Sequence, residues 1–146
     1  MLRGVVHDPT ARRMGGVAGH AGLFSTADDL ALYAQNMLSG TKVLSRVAME
    51  KTTTPQQPAT AASLRGLGWD IDSPFASNRG ELLPVGSYGH TGFTGTSISI
   101  DPGTGIWTVL LTNAVHFGRD PKHSVTTLRK QVHGLIAATL LGHVGR

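Results

Sequence analysis

From Ser97 to Asn113 the chain carries its tightest structural constraint. Ser97-Ile98-Ser99-Ile100-Asp101 alternates polar and apolar side chains, and Pro102-Gly103-Thr104-Gly105 interrupts it. An apolar, β-branched run follows, Ile106-Trp107-Thr108-Val109-Leu110-Leu111-Thr112-Asn113. Alternation with a period of two sends successive side chains to opposite faces of a strand. A four-residue Pro/Gly turn between two such runs specifies an antiparallel hairpin.

Directly ahead of the hairpin lies Gly89-His90-Thr91-Gly92-Phe93-Thr94-Gly95-Thr96. Its glycines permit positive φ or a close approach to the backbone. Such a strand entry can offer His90, the Thr91 hydroxyl and backbone N–H groups to a ligand. Histidine changes charge nearest neutral pH, so His90 can bind a carboxylate or move a proton. The same residues also describe a Gly/Thr-rich strand entry with a turn histidine facing water.

Around this centre the pattern is helix, strand, hairpin, helix. Ser25 is the expected N-cap of a first helix, with Asp28 and Asp29 in its positive first turn. Leu30, Tyr33, Ala34, Met37 and Leu38 form one apolar face, and Gly40 supplies the C-cap. A short helix is expected from Arg46 to Lys51 after Ser45. A last one spans Lys122 to Leu141, with Val125, Leu128, Val132, Leu135, Ile136, Thr139 and Leu140 as its apolar stripe. Leu67-Gly68-Trp69-Asp70-Ile71 reads as a third strand anchored by Trp69. Residues 1–24 read as loop, with a short strand ended by Pro9 and a small, apolar stretch from Met14 to Phe24 that looks packed against something. Thr52 to Ser63 and Ser73 to Gly86 are further connections. The expected fold class is α+β: an antiparallel sheet, here of three strands, with flanking helices on one side, forming a single incomplete domain over residues 1–146.

Composition removes several functions. The 146 residues suffice for one core, and 40% apolar with 15% charged residues suits a globular chain. A net charge of +4 is spread so thinly that only Arg12-Arg13 and Arg129-Lys130 are adjacent, so no nucleic-acid partner is expected. There is no cysteine, hence no disulfide and no thiol nucleophile. The histidines at 116, 123, 133 and 143 match no ligand spacing, so no metal is expected. No apolar run approaches a membrane span, and Met1 to Gly16 lacks the apolar core of a signal peptide.

Two further candidates sit near the N-terminus. Asp8, before Pro9, reads as a turn former. His20, between Gly19 and Ala21, has neighbours small enough to let a substrate approach, or packs its own loop. Ser39-Gly40-Thr41-Lys42 matches S-x-x-K, but that motif needs its serine at the start of a buried helix, and this segment is leaving one. It is set aside.

As a set, Ala18-Gly19-His20-Ala21-Gly22-Leu23-Phe24-Ser25-Thr26-Ala27-Asp28-Asp29-Leu30, Gly66-Leu67-Gly68-Trp69, Tyr88 to Thr96 and Leu110-Leu111-Thr112-Asn113 resemble the C-terminal portion of the serine β-lactamase-like superfamily. That superfamily includes class C β-lactamases, D-alanyl-D-alanine carboxypeptidases and esterases. Val6-His7-Asp8-Pro9 looks like its penicillin-binding-protein-like branch, which acts near peptidoglycan. The resemblance implies acyl transfer through a serine on amide or ester bonds, without metal or other cofactor. It puts His90-Thr91-Gly92 at the family's Lys-Thr-Gly position. His90 would then help bind the substrate's negative group, Thr91 would hydrogen-bond the substrate, and the Phe93 N–H would be an oxyanion-hole donor. Gly92 leaves room for the substrate, and His20 and Thr94 are further substrate contacts. Histidine in place of lysine makes the positive charge pH-dependent and argues mildly against an efficient β-lactamase.

No S-x-x-K in a suitable context, and no Y-x-N or S-x-N, is present. The nucleophile, its lysine and the general acid/base are therefore expected in the N-terminal half of the same domain. That half is the expected partner, beside a small-molecule or peptide substrate, and Met1 reads as a truncation or internal start. The family is typically periplasmic or extracytoplasmic. The alternative is a non-catalytic module that keeps the groove for a peptide or cell-wall ligand.

Overall fold

The computed structural model describes residues 2–40, 43–72, 80–118 and 125–142. Helices α1 (Pro9–Arg13), α2 (Ala27–Ser39) and α3 (Arg46–Thr53) come first. Strands β1 (Leu64–Arg65), β2 (Asp70–Asp72), β3 (Tyr88–Thr91), β4 (Ser97–Asp101) and β5 (Ile106–Leu110) follow, then helix α4 (Val125–Leu141). The strands form one antiparallel sheet in the order β1-β2-β3-β4-β5. The hairpin forms as its pattern dictates, with Ile98 opposite Val109 and Ile100 opposite Trp107.

Alternation gives β4 two unlike faces. Ile98 and Ile100 look into an apolar core with Tyr88, Ile71 and Trp69 from the sheet side, Ala34 and Met37 from α2, and Met49 from α3. Trp69 is its aromatic centre, edge-on to Tyr88 at 5.1 Å and stacked with Tyr33 at 6.3 Å. Ser97 and Ser99, on the opposite face, are buried against His133 of α4, whose ring nitrogens lie 3.5 and 3.3 Å from their hydroxyls. Helices therefore cover both faces of the sheet, not one.

Several local expectations are corrected by side-chain chemistry. The sheet has five strands rather than three: Gly66 to Trp69 is a turn that separates β1 from β2, closed by the Gly66 N–H on the Trp69 carbonyl at 2.9 Å, and Tyr88–Thr91 forms a strand of its own, β3. Pro9 starts a helix instead of ending a strand: the Asp8 carboxylate accepts the Ala11 N–H at 2.7 Å, and proline suits the first helical position. Thr26, not Ser25, caps α2, accepting the Asp29 N–H at 3.1 Å. Ser45 and Gly40 cap as expected, Gly40 at φ 72°. Val17, Leu23 and Phe24 are exposed, so the apolar N-terminal stretch is not packed on this chain's own core.

The largest correction concerns α4. Its buried residues are Arg129, His133 and Ala137, while Leu128, Leu135 and Leu140 of the expected stripe are exposed. The sheet face that α4 meets is lined with serine, and that favours a polar helix stripe over an aliphatic one. The expected helix start at Lys122, Thr41 and Lys42 of the S-x-x-K match, and residues 73–79 of the expected loop lie outside the described residues.

Candidate functional site

The link between β3 and β4 runs from Gly92 to Thr96, with Phe93-Thr94-Gly95 at its tip. The Gly95 N–H donates to the Gly92 carbonyl at 3.1 Å, and the Gly92 N–H donates to the Thr96 carbonyl at 2.8 Å. This pairing closes a hairpin whose last loop residue needs positive φ, and Gly95 has φ 126°. A Cβ there would also lie 2.7 Å from Thr112 Oγ1 and 2.9 Å from the Thr112 carbonyl oxygen. Gly89 answers a different need, since a Cβ on it would meet the Ile98 carbonyl oxygen of β4 at 2.3 Å.

The loop is braced from behind. Thr112 Oγ1 donates to the Gly95 carbonyl at 2.7 Å, and the Ala114 N–H donates to the Thr94 carbonyl at 2.7 Å. From α4, Arg129 Nη2 donates to the carbonyls of Gly92 (2.8 Å) and Thr96 (2.7 Å), with Nε on that of Gly95 (3.3 Å). Arg129 is only 5% exposed, and burial pulls its pKa below the ordinary arginine value. Among the described residues no peptide bond is cis. In a trans peptide the N–H points opposite to the C=O. With the Gly92 carbonyl turned toward Arg129, the Phe93 N–H points away from α4.

His90 sits on β3 opposite Ile98 and is exposed. Its Nε2 lies 3.2 Å from Arg65 Nη2 and its Nδ1 lies 3.0 Å from the Thr91 carbonyl oxygen. A guanidinium can only donate and a carbonyl can only accept. These contacts match the Nδ1–H tautomer, with Nδ1–H donating to the Thr91 carbonyl and Nε2 accepting from Arg65. Arg65 is in turn held by buried Asp70, Nη1 to Oδ1 at 2.9 Å. The permanent positive charge in this corner belongs to Arg65, where the sequence pointed to His90 alone.

Thr91 ends β3 opposite Ser97, and Thr91, Gly92 and Thr94 are half-buried. Phe93 is 62% exposed and stacks on His7 at 5.6 Å between ring centroids, so the N-terminal segment reaches this loop. His20 pairs with Asp8, Nε2 to Oδ1 at 3.0 Å. The Ala11 N–H and then His20 hold the Asp8 carboxyl below its usual range. His90 to Thr94 are thus contiguous in space as in sequence, while His20 is engaged with the α1 cap. Ser39 is the last residue of α2, the wrong end of a helix for an activated serine. Among the described residues no three His, Cys, Asp or Glu side chains are grouped to hold a metal.

The sequence alone places neither Arg65 nor Arg129 at this loop, and it names His7 and Thr112 only as parts of motifs, with no role here. Arg129 left a readable trace: Arg129 and His133 are one helical turn apart, and Ser97 and Ser99 are two residues apart on one strand face. Arg65 left none, because its role depends on a turn that brings β1 back beside β2.

This architecture has known counterparts. A family profile described as Beta-lactamase matches residues 2–131. A Salmonella gallinarum protein described as "Putative D-alanyl-D-alanine carboxypeptidase" is 37% identical over 98% of this chain and 34% of its own length. An Escherichia coli K12 protein of the same description is 39% identical over 79% of this chain and 28% of its own. The crystal structure of a beta-lactamase from Mycobacterium bovis superposes with a TM-score of 0.63, at 26% identity, over 84% of this chain and 46% of that one. The chain thus spans about a third of the length of the curated relatives it matches. Profile, relatives and fold agree, and the chain belongs to the beta-lactamase family.

Proposed function

We propose that this chain forms one wall of the active site of a serine acyl-transfer hydrolase that acts on D-alanyl peptides, β-lactams or related esters. Its own nucleophile is lacking, and the S-x-x-K serine comes from a segment equivalent to the N-terminal part of the relatives. One observation carries the reading: in a beta-lactamase-family sheet, the braced β3–β4 loop turns the Phe93 N–H outward beside exposed His90. An N–H fixed in that way suits a developing oxyanion, and loss of such a donor costs about 3 kcal/mol in other acyl-transfer enzymes. Thr91 offers a hydroxyl to the substrate. Gly92 is proposed to leave room for the substrate; a Cβ there would also press on the Thr96 hydroxyl. His20 and Thr94 are proposed as outer substrate contacts. The carboxypeptidase description of the relatives favours a peptide ending in a carboxylate, which the Arg65 cation complements.

The test is reconstitution. This chain is co-expressed with the part of the E. coli relative that precedes the matched region, and hydrolysis of nitrocefin, p-nitrophenyl acetate and a D-Ala-D-Ala peptide is measured. Turnover by the pair, absent from either piece, supports the reading. Turnover by this chain alone that Ser39→Ala abolishes would reinstate the discarded serine. Binding of the peptide without hydrolysis by an otherwise folded pair would favour a non-catalytic binding module.

A further inference from the structure

The Gly92–Phe93 peptide is one resonance unit. Its carbonyl oxygen accepts two hydrogen bonds, from the Gly95 N–H at 3.1 Å and from Arg129 Nη2 at 2.8 Å. Its N–H is the proposed oxyanion donor on the opposite side. Hydrogen bonding to a peptide oxygen draws electron density from the nitrogen and strengthens its N–H as a donor, and the effect is larger where water is excluded. A charged donor does this more strongly than a neutral one. Arg129 is nearly inaccessible to solvent, so its hydrogen bonds are not shared with bulk water. Its other two contacts, on Gly95 and Thr96, hold the returning arm of the same loop.

We propose that Arg129 is a positioning residue for the hydrolase: it aims the Gly92–Phe93 peptide from behind and polarises the Phe93 N–H toward the substrate groove. The proposal rests on the acyl-transfer reading above for its catalytic consequence, but not for the hydrogen bond itself. Lysine cannot replace arginine here. A single ammonium lacks the planar fork that spans carbonyls on three residues.

Nuclear magnetic resonance of the isotope-labelled 146-residue chain tests the bond without any substitution. A scalar coupling across the hydrogen bond must connect an Arg129 guanidinium nitrogen to the Gly92 carbonyl carbon. Guanidinium protons that exchange freely with water and show no coupling overturn the proposal. Arg129→Met should move the Gly92 carbonyl carbon and the Phe93 amide proton upfield together, with Arg129→Lys restoring only part of the shift. Thr112→Val loosens the same loop through Gly95 alone and should leave that pair in place. Equal shifts in both variants would mean general loosening and overturn the polarising role. In the reconstituted pair, Arg129→Met should lower kcat at least ~10-fold with KM little changed, and an unchanged kcat overturns the catalytic consequence. A wild-type pair without turnover would count against the acyl-transfer reading alone, because the spectra report the Gly92 bond directly.

Discussion

At His90, tautomer and orientation are fixed together by one donor and one acceptor. The Arg65 guanidinium stands against its Nε2 and is itself tethered by Asp70. Nitrogen shifts of the His90 ring should report Nδ1–H in preference to Nε2–H, and Arg65→Met should shift the tautomer population toward Nε2–H. A wild-type imidazole already in the Nε2–H form would contradict the geometry. Gly95→Ala should destabilise the fold by at least ~1 kcal/mol, since it combines positive φ with backbone atoms within 3.0 Å of the added carbon. Denaturant unfolding reads this directly, and a neutral result would mean that the loop relaxes freely. Tyr88 gives a pH signature. Burial first, and the nearby Tyr33 second, push its phenol up to about 12. A raised folded pKa favours the neutral phenol, so this contribution is complete below the ordinary tyrosine value of about 10 and is lost as pH climbs from there toward 12. Alkaline unfolding should flatten over that window in Tyr88→Phe; an identical profile would remove Tyr88 as its source.

Among the elements, α2 and the β4–β5 hairpin were legible in the sequence because local rules alone produce them. A capped amphipathic run and an alternating pair joined by a Pro/Gly turn need no distant partner to be recognised. Even there the cap is finely placed. Thr26→Ala should cost about 1 kcal/mol and Ser25→Ala much less, since Thr26 accepts the Asp29 N–H; equal costs in thermal unfolding would return the cap to Ser25. Helix α4 shows why the rest was hidden. Its sequence has an aliphatic stripe and a polar one, and which of them faces inward is decided by β4, whose serines point to one side and isoleucines to the other. Strands β1 and β2 are two and three residues long, too short for any periodic signal. Of the candidate site, the residues carried by one contiguous loop were readable. Arg65 and Arg129 reach it from β1 and α4, and no local pattern announces a contact across 25 or more residues.

At the scale of the whole molecule, large apolar side chains stand exposed: Leu128, Leu135 and Leu140 on α4, and Val17, Leu23 and Phe24 near the N-terminus. Among the described residues no helix is long and apolar enough to cross a membrane. Exposed apolar faces of this kind promote association. The isolated chain should therefore self-associate in sizing experiments and become more monodisperse when co-expressed with the N-terminal segment of a relative; a stable monomer with no affinity for that segment would argue against the shared domain. In the proposed reading, this chain supplies the oxyanion-binding wall for a serine that another segment provides. The most direct test of that reading is mass spectrometry of the reconstituted pair after exposure to a penicillin. An acyl adduct is expected on the S-x-x-K serine of the N-terminal segment, forming only when this chain is present and strongly slowed by Arg129→Met. An adduct that forms at the same rate without this chain, or that sits on Ser39, would contradict it.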